Sequence, residues 1–145
     1  MAAWQFDLFF VGEGSIAPVF VDEGWELPSL PAASTLQAQR ILVGSMGNPW
    51  LMTDNKIVFG DEQGTRVDFL FGDTDEVEIS VRLSALATAP ELEAVCDFAA
   101  ALRGTLFDPA TGTTIQPDRN SVTSALAGSR AAAFTRSPRA FLENL

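Results

Sequence analysis

Two runs in the middle of the chain alternate apolar and polar residues. Val67, Phe69 and Phe71 mark the first run; Val77, Ile79, Val81 and Leu83 mark the second. A period of two places one set of side chains on one face of a strand. The pattern therefore predicts two strands joined through "GDTDE", with Arg66 and Asp68, and likewise Glu78, Ser80 and Arg82, on the opposite face. Upstream, "WLMTDNKIVFG" bends at Asp54-Asn55 and "GDEQG" supplies the next connection, so an antiparallel meander starts at Pro49. One face of this sheet should be covered and the other wet. Trp4, Phe6, Leu8 and Phe10 alternate in the same way and predict a first strand, closed by the turn "GEGS". "IAPVFV" suits a returning strand that Pro18 confines to an edge. "DEGWELPSLPAAS" reads as a surface loop.

The period changes after Leu83. Leu92, Val95, Cys96, Ala99 and Leu102 recur at helical spacing. Thr88 with Glu91 fits a capping box, Pro90 suits the first turn, and Arg103-Gly104 suits the end of such a helix. "TLF" and "GTTI" form a short hairpin about "DPATG". Asn120 or Ser121 begins another helix carrying Val122, Ala125, Leu126 and Ala133, and Ser137-Pro138 opens a terminal turn anchored by Phe141 and Leu145. The stretch "STLQAQRILVGSMG" is compatible with two states: Ser34 or Thr35 can cap a helix through Val43, whereas "RILV" also suits a strand. The helix is preferred. Grouped strands followed by grouped helices indicate an α+β fold. The expectation is a single antiparallel β-sheet of four to six strands with helices packed on one face.

The chain has 145 residues, 47% of them hydrophobic, enough for a sizeable core in a single domain spanning 1–145. No apolar run is long enough to span a bilayer. The opening "MAAWQFDLFF" has no basic segment and contains Asp7, so it fits a strand better than a signal peptide. Cys96 is the only cysteine, which rules out an internal disulfide and makes a cytoplasmic location the expectation.

Charge and chemistry narrow the function. The formal net charge is −10, and sixteen of the nineteen acids precede Phe98. Such a chain repels nucleic acid and anionic membranes, and any macromolecular partner should be basic. Acidity also serves solubility alone. Histidine is absent, which removes the commonest general base and metal ligand. Cys96 lies in the helical stripe beside Asp97, where burial and a carboxylate both suppress a thiolate. "DTDEVE" starts like a calcium loop, but Val77 stands at its fifth position, Glu78 at its sixth and Ser84 at its twelfth. The expectation is therefore no catalytic residue, no cofactor and no metal. Arg66, Asp68 and Arg82 read as a wet-face charge cluster worth little. The turn acids Asp61, Glu62, Asp73, Asp75 and Glu76, with Trp25 as an aromatic anchor, are the candidate partner-binding residues; Trp25 and Trp50 also suit covering the core.

"GDEQGTRVDF", "EISVRLSAL", "RGTLFDPATGTTI" and "SRAAAFTRSPRAFLENL" resemble small bacterial immunity proteins encoded beside secreted antibacterial toxins, including type VI secretion effectors. The resemblance runs from about Ile57 to the C-terminus. It rests on Gly64–Asp68 (Gly-x-Arg-Val-Asp) and Ser137–Leu142 (Ser-Pro-Arg-x-Phe-Leu). It implies a non-catalytic protein that neutralises a cognate toxin by direct contact. The alternatives are a small carboxylate-dependent enzyme, which needs two convergent desolvated carboxylates in a pocket, and an adaptor or assembly subunit, which needs a large apolar surface patch or a symmetric dimer.

Overall fold

The first strand, β1 (Gln5–Val11), pairs with nothing that follows it closely in sequence. It lies between β8 (Glu76–Ser84), with Gln5 opposite Ser84, and β9 (Thr105–Asp108), with Phe9 opposite Phe107. The computed structural model describes residues 5–22 and 24–144, so Trp4 and the expected anchor Leu145 lie outside the described residues.

The remaining strands are β2 (Val19–Val21), β3 (Gly24–Glu26), β4 (Leu30–Pro31), β5 (Trp50–Thr53), β6 (Lys56–Gly60), β7 (Arg66–Phe71) and β10 (Thr113–Ile115). The helices are α1 (Leu36–Met46), α2 (Ala89–Ala101), α3 (Arg119–Ala127), α4 (Arg130–Arg136) and α5 (Pro138–Glu143). The main sheet is antiparallel with strand order β10-β9-β1-β8-β7-β6-β5, and β4 pairs with the first residues of β8. The fold is α+β as expected, but among the described residues the sheet has eight strands rather than four to six. The difference arises because β1 joins the β5–β8 meander to the β9–β10 hairpin, and because β8 is long enough to hold β4 beside β1 on one edge.

Alternation sets the two faces. Phe6, Leu8, Phe10, Val67, Phe69, Val77, Ile79, Val81 and Leu83 are buried in one cluster with Ala38 and Leu42 of α1, Val95 and Phe98 of α2, and Val122 and Leu126 of α3. The helices thus pack on this face, and each large side chain buried there contributes roughly 1.5–3 kcal/mol. The segment 36–46 is the helix that was preferred, although Thr35 makes no side-chain cap to it. The capping box at the start of α2 is present: Glu91 N–H donates to Thr88 Oγ1 (3.3 Å) and Thr88 N–H to Glu91 Oε1 (2.8 Å).

Two glycines are needed for different reasons. Gly60 combines a φ of 104° with a backbone so close to the Thr65 carbonyl that a Cβ has no room. Gly104 leaves no space for a Cβ against the Phe10 ring. The left-handed residue after α2 is instead Arg103, at φ 55°, so Arg103 lies past the last turn rather than in it.

Three local expectations are corrected. The presumed loop 22–34 contains β3 and β4, and β2 pairs with β3 in a separate two-stranded sheet. The helix expected to run through Ala133 breaks at Gly128. Asp118 caps α3, Ser129 caps α4, and Ala133 belongs to the latter. The second sheet face is not uniformly wet, because Val58, Arg66 and Asp68 are buried there.

Candidate functional site

The turn between β7 and β8 carries Asp73, Asp75 and Glu76, all exposed. Gly72 N–H donates to the Glu76 carbonyl (2.8 Å), which closes the turn, and Asp75 takes a left-handed φ of 58°. The chain entering α1 supports it from the side. Ala32 N–H donates to the Asp75 carbonyl (2.8 Å), Ser29 Oγ donates to Glu76 Oε2 (2.7 Å), and Pro31 pairs with Glu76. Asn55 adds a bond from below, accepting from Phe71 N–H at 2.8 Å. A shallow cleft of ≈ 300 Å³ opens here, lined by Asp73, Glu76 and Glu78 with Ser29, Asn55 and Leu70. Among the described residues none of Asp73, Asp75, Glu76 and Glu78 forms an ion pair. Sequence reasoning did not assign Glu78 and Leu70 to a site. Leu70 lies directly opposite Glu78 and is 39% exposed, a pairing that follows once the hairpin register is known.

The other predicted acidic turn, between β6 and β7, lies at the far end of the same hairpin. Six strand residues separate the two turns, about 20 Å at the usual rise, so they form two sites and not one. Asp61 and Glu62 are exposed, yet both shape the turn. Asp61 Oδ1 accepts from Gln63 N–H (3.0 Å), and the Glu62 carbonyl accepts from Arg66 Nη1 (3.2 Å).

Trp25 stands apart from both turns. It lies in β3, and its ring meets Phe9 at 6.1 Å, Phe107 at 5.4 Å and Phe20 at 5.4 Å, in edge-to-face geometry each time. Phe9 and Phe107 point away from the helices, so Trp25 pins the β2–β3 hairpin over the second sheet face. Half-buried Trp50 is held on β5 by a bond from its Nε1 to the Gly60 carbonyl (3.0 Å). The charge cluster expected on this face exists, but in a different environment. Asp68 contacts Arg66 (3.2 Å) and Lys56 (3.3 Å), with Asp68 and Arg66 both buried, while Arg82 and Asp7 form a half-buried pair at 2.8 Å.

Cys96 is buried on α2 as predicted. Burial, followed by the Asp97 charge, raises its pKa above the ordinary thiol value. Among the described residues no group of three or more His, Cys, Asp or Glu could hold a metal ion, and no helix is long and apolar enough to cross a membrane. No family model, no curated protein and no solved structure matches this chain.

Proposed function

We propose that this chain is an immunity protein that neutralises a cognate antibacterial toxin by direct, non-catalytic contact in the cytoplasm of the producing cell. The supporting observation is the β7–β8 turn. Its carboxylates are exposed and matched by no cation among the described residues, and they stand on a turn held by backbone bonds and by the 29–32 segment, with Ser29 bonded to the Glu76 carboxylate. Like charges held this close repel one another, and a basic partner relieves that repulsion. Leu70 beside them offers apolar contact that acids alone lack. A basic toxin, for instance one acting on an anionic substrate, would be drawn to this edge and captured quickly. The sequence resemblance to immunity proteins points the same way.

The experiment uses the protein encoded by the adjacent gene. That protein should be toxic when produced alone, harmless when co-produced with this chain, and should co-purify with it. Toxicity unaffected by this chain, together with no complex by calorimetry, would overturn the reading.

One observation favours an adaptor as the second reading. Ile16, Val19 and Phe20 on and beside β2 are 76%, 48% and 68% exposed, and exposed apolar groups of this kind mark contact surfaces. Self-association in sedimentation experiments, lost in Phe20→Ser, would support it over the inhibitor.

A further inference from the structure

β9 pairs with β1 only from Phe9 to Val11. Asp108 still pairs with Thr113 of β10, and the chain turns immediately after it: Asp108 Oδ1 accepts from Ala110 N–H (2.9 Å) and its carbonyl accepts from Gly112 N–H (2.8 Å). No strand among the described residues continues along this edge of β1 beside Gln5 to Leu8. The gap is bounded by the α3–α4 junction and forms a cleft of ≈ 720 Å³. Phe6, Ile115, Ala125, Ala131 and Pro109 supply apolar wall.

Two carboxylates reach this cleft, and they differ. Asp7 is held by Arg82 at 2.8 Å. Asp108 is only 7% exposed and forms no ion pair among the described residues, and one turn amide occupies just one of its oxygens. Its other oxygen is not a sealed, buried atom and has no hydrogen-bond partner among the described residues, so it can accept a donor from the cleft. A cation delivered on an apolar stem would supply that donor and cover the wall at the same time. The other charge at the cleft, Arg130, lies over the Phe141 ring at 5.4 Å and makes no ion pair among the described residues.

We propose that this cleft receives a lysine or arginine side chain of a protein partner, with the alkyl stem against Phe6 and Ile115 and the charged head on Asp108. The inference takes from the proposed function only the basic character of the partner. The recognition chemistry stands independently and is tested without the toxin.

The test is titration of the intact protein with n-butylguanidinium and n-butylammonium chlorides, followed by amide NMR, with n-butanol and sodium butyrate as controls at equal ionic strength. The expected result is saturable shifts at Asp108 to Thr113 with both cations, at affinities about tenfold or more above either control. Asp108→Asn keeps an acceptor for Ala110 N–H and removes the charge, so it should cost the cations about tenfold while leaving n-butanol unchanged. Absence of saturable shifts, equal binding of n-butanol, or undiminished cation binding by Asp108→Asn would each overturn the proposal. A chain that neutralises the toxin yet fails this titration would keep its proposed function and lose the pocket.

Discussion

Arg66 Nε stands 3.2 Å from Asp68 Oδ1, with both side chains under a tenth exposed and with no hydrogen-bond alignment between those two atoms. This pair was expected to be a solvated cluster of little worth. Burial changes the energetics, because removing one member leaves the other charged in a poorly solvated place. Asp68→Asn should cost about 3–5 kcal/mol. Arg66→Met combined with Asp68→Leu should cost much less, since the one charge left without its partner is Lys56, which is partly exposed to water. Urea denaturation of Arg66→Met, Asp68→Leu and the double variant measures this as a cycle, with Asp68→Asn measured beside them. A cost below about 1 kcal/mol for Asp68→Asn would mean that water reaches the pair.

The end of α2 gives a prediction that inverts the pattern-based one. A glycine after a helix usually supplies the left-handed residue. Here Arg103 adopts that conformation, while Gly104 is required by the Phe10 ring. Gly104→Ala should therefore destabilise by about 1–3 kcal/mol through overpacking. Arg103→Gly should be neutral or stabilising, because the left-handed conformation costs a residue with a Cβ about 1–2 kcal/mol. Thermal denaturation of both variants separates the two roles. Equal destabilisation would refute the assignment.

Cys96 should resist modification in the native state. Its thiol pKa is raised, first by burial and then by Asp97, so little thiolate forms near neutral pH. The sign follows from linkage. A raised folded pKa contributes stability that is complete below the unfolded thiol pKa and is lost as pH rises through the folded one. Disulfide-reagent labelling should be slow until denaturant is added, and Cys96→Ala should cost about 1 kcal/mol. Native labelling as fast as that of a free thiol would contradict burial.

Asp118 gives the opposite pH sign. Its carboxylate accepts from Ser121 N–H (2.8 Å) and Ser121 Oγ (2.9 Å), and these bonds lower its pKa below the ordinary 3.8. A depressed pKa contributes stability that is present above the unfolded value and is lost as pH falls through the folded one. Hydrogen exchange at Ser121 should therefore accelerate relative to other helix termini as pH drops below that range. Asp118→Asn should remove this pH dependence while retaining a cap. An unchanged pH profile in that variant would assign the effect to another group.

The sequence showed those features that are set by near neighbours. Strands β5 to β8 follow from a two-residue period and their turns, and α2 follows from its stripe and capping box, because each depends on residues a few positions apart. The partners of β1 depend on pairings such as Gln5 with Ser84, which no local pattern encodes. The same limit hid the burial of Arg66 and Asp68: alternation assigns a face but does not say what lies over it. The break between α3 and α4 was legible in Gly128-Ser129, but the spacing of Val122, Leu126 and Ala133 suggested continuity. Asp108 read as an ordinary turn residue, and its burial depends on where β9 leaves β1.

The two acidic turns should contribute unequally to partner binding. They lie about 20 Å apart along β7, well beyond the roughly 8 Å over which physiological salt screens exposed charge, so each acts separately on an approaching partner. Asp61 and Glu62 surround a turn that already makes internal bonds, whereas Asp73, Glu76 and Glu78 border a cleft beside exposed Leu70. Asp73→Asn with Asp75→Asn should keep the fold, since asparagine tolerates the left-handed conformation at position 75. Stability should stay within about 0.5 kcal/mol per change. Association with the adjacent-gene toxin should slow, and its salt dependence should flatten. Asp61→Asn with Glu62→Gln should change both much less. Stopped-flow association at low and high salt measures the difference. Equal slowing by the two pairs would point to the diffuse charge of the whole surface, and no slowing by either would leave these acids to solubility and move the contact to the cleft at Asp108.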